Sequence, residues 1–212
     1  MDVHAPHEPI NTWRDFALHL IVVTIGLVIA LSLEAFVEHI HQRHLLHTAE
    51  TNLRVELQDN RDLLAGDEHQ LDRTEAELEQ DIATLIARKS NPAIAEPLNF
   101  GWTWNGMEDS AWTTARDSGA LALMPFDTQQ AWSVIYGQQG VVNDQAHVYI
   151  LDLYRASAPT RGRAFDQLTP AQLDQAIAGL QQAIADIELL RDFCKSLDRI
   201  YDRNGHFNRQ TP

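Results

Sequence analysis

Residues 16–37 read FALHLIVVTIGLVIALSLEAFV, and this run decides the architecture of the chain. It is 22 residues long, lacks proline and carries only two ionisable side chains, His19 and Glu34. As an α-helix rising about 1.5 Å per residue it covers about 33 Å, the hydrocarbon thickness of a bilayer. The expectation is a single membrane-spanning helix over residues 16–37. A cleaved signal peptide is the competing reading, because Ala30-Leu31-Ser32 has the small residues of a cleavage site. The preceding MDVHAPHEPINTWRD argues against it: Arg14 stands alone against Asp2, Glu8 and Asp15, a poor basic leader, and the apolar run is longer than a signal core needs. Trp13 falls where an interfacial aromatic belongs. Residues 1–15 are expected to be an irregular cytoplasmic leader, which leaves the remainder on the periplasmic side of a bacterial inner membrane.

Polar and small residues inside the anchor are the first candidates for a role. Gly26 and Ala30 form a small-x-x-x-small pair that lets two helices approach closely, and Thr24 and Glu34 lie on the same span. Helix association is one use of this set. Lining an oligomeric pore with Gly26, Thr24 and Glu34 is another, while a carboxylate near the span's end also simply reaches the headgroups.

No proline or glycine interrupts the chain between Val37 and Gly66, so the helix is expected to leave the membrane without a break. Leu57, Leu64, Leu71, Leu78 and Leu85 then recur every seven residues, a narrow helical stripe. The positions three further on, Asn60, Asp67, Thr74 and Asp81, are polar, which is poor for a two-stranded zipper. One helix, or two broken near Gly66, is expected to pack this leucine edge on the rest of the domain. Just past the anchor, Glu38, His41, His44 and His47 are the densest set of potential metal ligands, with a Glu-x-x-His at 38–41. A solvated juxtamembrane face accounts for the same residues.

Asn91-Pro92 and Pro97 end this helix, and the aromatic stretch NFGWTWNGMEDSAW follows at 99–112. Trp102, Trp104, Trp112 and Trp132 are candidates for a ligand pocket, although tryptophans where helices meet more often form core. Asp109 or Ser110 can cap a short helix that stops at Gly119, and Asp127 with Gln130 has the form of a capping box opening a helix to about Ser157. Thr169-Pro170 is a helix start. Beyond it Leu173, Ile177, Leu180, Ile184 and Ile187 trace an apolar face that slips at Arg191 and resumes through Cys194, Leu197 and Tyr201. Residues 206–212 are expected to be a frayed tail.

The fold class that follows is all-α: an N-terminal transmembrane helix continuing into an antiparallel bundle of long helices, residues 38–205, with a Trp-rich elbow. Charge narrows the function. The chain carries 16 Lys and Arg against 30 Asp and Glu, a formal net of −14, so the basic patch a nucleic acid requires is missing. A single cysteine, Cys194, excludes an intramolecular disulfide. Neither a Gly-x-Ser-x-Gly nor a phosphate-binding glycine loop is present, so no catalytic residue and no cofactor are assigned.

Two stretches, Thr24-Ile25-Gly26-Leu27-Val28-Ile29-Ala30-Leu31-Ser32-Leu33-Glu34 and Trp112-Thr113-Thr114-Ala115-Arg116-Asp117-Ser118-Gly119-Ala120-Leu121, resemble a group of uncharacterised bacterial single-pass membrane proteins. These have an Ile-Gly-x-x-Ile-Ala-Leu anchor, a long charged helix and a Ser-Gly-x-Leu elbow before further helices. The resemblance implies an inner-membrane protein with a helical soluble domain, and it implies no substrate. The expected function is a membrane-anchored scaffold or interaction protein that self-associates, with the bilayer and a second copy as partners. The alternatives are an ion-conducting pore through the anchors and a ligand sensor using the tryptophans.

Overall fold

The first helix, α1, runs Trp13–Ser90, 78 residues. The computed structural model describes residues 13–94, 96–161 and 167–204. The expected irregular leader lies mostly, and the expected frayed tail wholly, outside these described residues. Gly66 does not break α1: nothing in the fold approaches within 4 Å of where its Cβ would be, and the surrounding residues are good helix formers. The other helices are α2, Ser110–Asp117, α3, Phe126–Ser157, and α4, Pro170–Asn204, with a 3-10 turn at Ala120–Leu123. The described residues contain no strand. The chain divides into two compact units, residues 1–48 and 49–212.

In the first unit, α1 is long and apolar enough to cross a membrane, and its most apolar 18-residue window is not buried by any part of the chain. Its hydroxyls are satisfied internally. Thr24 Oγ1 donates to the Leu20 carbonyl and Ser32 Oγ to the Val28 carbonyl, each at 2.7 Å.

In the second unit, Leu53, Leu57, Leu64, Leu71, Leu78 and Leu85 of α1 are all buried. Each contributes roughly 1.5–3 kcal/mol relative to exposure. Ion pairs relate α1 to α4: Arg61 to Asp202 at 3.2 Å, Arg191 to Asp72 at 3.1 Å, and Lys89 to Asp174. Being exposed they add little energy, about 0–1 kcal/mol apiece. Together they fix which part of α4 lies beside which part of α1.

The α4 core face corrects the sequence expectation. Leu173, Ala176, Leu180, Ala183, Ile187, Leu190, Cys194, Leu197 and Tyr201 are buried in an unbroken three-four alternation. Ala176 and Ala183 take the places expected of Ile177 and Ile184, which are only half-buried, and Leu190 removes the slip at Arg191. The reason is closeness to α3: a Cβ on Gly179 would lie 2.7 Å from the Ala156 Cβ, so small side chains face the contact.

Helix starts differ in a similar way. α3 begins two residues early, after Pro125, with no side-chain cap bond, so the expected Asp127 capping box is not made. Instead Gln129 Nε2 donates to the Met124 carbonyl at 2.8 Å. At α4 the expected start is made, with Thr169 N donating to Gln172 Oε1 at 2.9 Å.

Candidate functional site

The polar heptad positions of α1 are buried as deeply as its leucines. Asn60, Asp67, Thr74, Asp81 and Arg88, seven residues apart, are all at most 3% exposed, and Glu56, four residues before Asn60, is 9% exposed. Polar groups are buried at such cost only when their hydrogen bonds are met. For all of these but Thr74, partners come from the segment that runs back along α1 to the first turn of α2. The Arg88 guanidinium donates to the carbonyls of Ile94 and Glu96. Asp81 accepts the Asn99 backbone N–H at 2.8 Å. Asp67 accepts the backbone N–H groups of Asn105 and Gly106, both at 3.0 Å, and the Asn105 side chain at 2.7 Å.

Two asparagines then clamp residues 107 and 108. Asn60 accepts the Glu108 N–H at 2.8 Å and returns its amide to the Glu108 carbonyl at 2.7 Å. From α3, Asn143 does the same for Met107, at 3.1 and 2.8 Å. Gly106, just before them, has a φ of 75°, a left-handed value that favours glycine.

Glu56 completes the series. Its Oε2 accepts Ser110 Oγ at 2.6 Å and the Ala111 N–H at 2.7 Å, so a side chain of α1 caps the start of α2 in place of Asp109, which makes no cap bond. Its Oε1 accepts the Tyr136 hydroxyl at 2.8 Å. Burial first, and then Glu56, push the Tyr136 phenol far above its ordinary value, so it stays a neutral donor. Above this carboxylate an open groove of about 450 Å³ separates Val55, Asp59 and Leu63 from Glu108, Ala111 and Thr114. Its lining contains no basic side chain.

Trp112 stacks on Tyr136 with ring centroids 5.2 Å apart, and Trp132, 1% exposed, lies 6.2 Å from the same ring. Trp104 is half-buried beside Gly106, and Trp102 is 46% exposed. None of the four lines the groove.

Of the juxtamembrane candidates, Glu34, Glu38, His41, His44 and His47 are all exposed, and Glu38 accepts the Gln42 amide at 2.7 Å. Among the described residues no three His, Cys, Asp or Glu side chains come together to hold a metal. Gly26 and Ala30 are exposed on α1, and the space around Gly26 is open to 4 Å. Cys194 is buried, and burial with nearby Glu68 pushes its thiol up to about 12, which leaves it unreactive.

Sequence reasoning recognised the leucine heptad but took its polar neighbours for a failed zipper seam. The available signal was their register: Asn60, Asp67, Thr74, Asp81 and Arg88 keep step with the leucines, ahead of a long segment with few backbone partners of its own. The chain matches no family model, no curated protein and no solved structure.

Proposed function

We propose that this chain is a membrane-anchored scaffold or interaction protein of the bacterial inner membrane, which self-associates and presents a helical domain on the periplasmic side. The observation that carries the reading is the exposed window of α1. A core helix of that composition is covered by its own chain, and here none of the window is buried. Lipid, and a second copy meeting it at Gly26 and Ala30, are the partners that fit such a surface. The soluble part is read as an antiparallel bundle of α1, α3 and α4 with segment 91–125 as its Trp-rich elbow. Supporting this, the ion pairs climb α1 from Arg61 to Lys89 while descending α4 from Asp202 to Asp174. Polar side chains of α1 hold the elbow, which suits a rigid display surface better than a mobile catalytic loop.

Membrane fractionation with an intact-mass measurement tests the anchor. The reading predicts a full-length chain retained after alkaline carbonate washing. A soluble product beginning near residue 33 would instead identify residues 16–37 as a cleaved signal and remove the anchor.

A further inference from the structure

Two carboxyl groups meet where α3 and α4 pack. The helices approach closely at Gly179, where an added Cβ would lie 2.7 Å from the Ala156 Cβ. Asp152, one turn before Ala156 on α3, and Asp186, two turns beyond Gly179 on α4, are within hydrogen-bond reach of each other. Asp186 is 7% exposed, and its Oδ1 accepts the Gln182 amide at 3.2 Å. Its Oδ2 is sealed from solvent and, among the described residues, meets no hydrogen-bond donor. A buried oxygen left in that state is costly, and an ionised carboxylate beside it adds repulsion.

One proton removes both costs. Ionised carboxylates only accept hydrogen bonds, so the pair holds together when one of them is an acid and donates to the other. The surroundings assign the roles. Arg155 pairs with Asp152 at 2.7 Å, and the Asp152 side chain is 23% exposed, which suits the charged partner. Burial raises the Asp186 carboxyl above its ordinary range; the Gln182 amide opposes this, and Asp152 adds to it. Asp186 is therefore the acid. The other charges at this level are engaged elsewhere. On the α1 side of α4, Arg191 pairs with Asp72 and Glu75, and the Tyr149 phenol of α3 is turned towards Thr74 of α1, with Glu77 nearby. An open notch of about 200 Å³, lined by Asp152, Arg155, Gly179 and Gln182 among others, gives solvent access beside the pair.

We propose that Asp152 and Asp186 share one proton across the α3–α4 contact, Asp186 donating to Asp152, and that this proton latches the two helices together in a pH-dependent way. When it passes to a base in solvent, two adjacent carboxylates are left and repel one another. The stability drawn from the pair is complete below the ordinary aspartate range and is lost as the pH climbs through the raised value. The test is an infrared titration of the full-length chain in nanodiscs, which follows the carbonyl band of protonated carboxyl groups from about pH 5 to about pH 9. Wild type is compared with Asp186→Asn and Asp152→Asn, both isosteric and both keeping a donor at the contact. The expected result is a component of the wild-type band that Asp186→Asn removes. Asp152→Asn should keep that component and lower its midpoint by at least about one pH unit, an about tenfold weaker hold on the proton. A band that Asp186→Asn leaves intact would overturn the assignment of the acid. A midpoint that Asp152→Asn does not move would show that burial alone holds the proton, and would overturn the sharing.

Discussion

Asp67 shows how one buried carboxylate holds an irregular segment. At 1% exposure it takes two backbone N–H groups and one side-chain amide from residues 105 and 106, and no helix or strand offers those donors another partner. Asp67→Ala should therefore cost about 3 kcal/mol or more in urea unfolding, since three donors are stranded. Asp67→Asn, which keeps one acceptor oxygen, should cost less, and equal losses would show that the carboxylate is not the anchor point. Gly179 limits the fold differently. A methyl group there meets Ala156 at 2.7 Å from its Cβ and 2.8 Å from its Cα, so Gly179→Ala should lower stability by about 1–3 kcal/mol. An unchanged unfolding midpoint would mean that α3 and α4 separate easily. Neither role was legible in the sequence: Asp67 looks like any solvated helix residue, and Gly179 like a weak point in a helix. Each depends on a neighbour brought in from 38 or 23 residues away.

Among the elements, α1 and α4 were legible to different degrees. The leucines of α1 announce a helix because large apolar residues at a fixed seven-residue step line up on one face of a helix and on no face of a strand. On α4 the large residues misled, because α4 meets Ala156 of α3 closely at Gly179 and its buried positions on either side are Ala176 and Ala183, whose apolar signal is faint. The expected side-chain caps of α2 and α3 are not made, whereas that of α4 is. Caps were sought within a few residues of each start, whereas α2 is capped by Glu56, 54 residues before Ser110. For the anchor, Gly26→Leu is a clean probe. Nothing in the chain lies within 4 Å of the added Cβ, so any change it causes is intermolecular. It should weaken self-association in bilayers while leaving the melting temperature of the soluble unit unchanged; unaltered association would remove Gly26 from the contact.

On the scale of the whole molecule, acidity shapes both stability and association. Glu68, Asp81, Asp186 and Asp198 all have their carboxyl values raised, with burial the leading cause in each, and Glu68 and Asp198 are further raised by acidic neighbours. A raised carboxyl stabilises the fold fully below its ordinary value, and that contribution is lost as the pH climbs through the raised one. The melting temperature should thus be higher near pH 5 than near pH 8, at about constant ionic strength, and a flat or reversed profile would contradict the buried placement of these groups. The all-helical class and the apolar N-terminal helix were legible from residues 16–37 and the leucine step. The polar seam along segment 91–111 was not, because its meaning lies in backbone groups that carry no side-chain signature. Self-association through the N-terminal helix is the central claim of this account. It is tested most directly by the particle mass of the full-length chain in nanodiscs over a range of concentrations. The account predicts at least two copies per disc, falling towards one with Gly26→Leu, whereas one copy per disc at every concentration would contradict it.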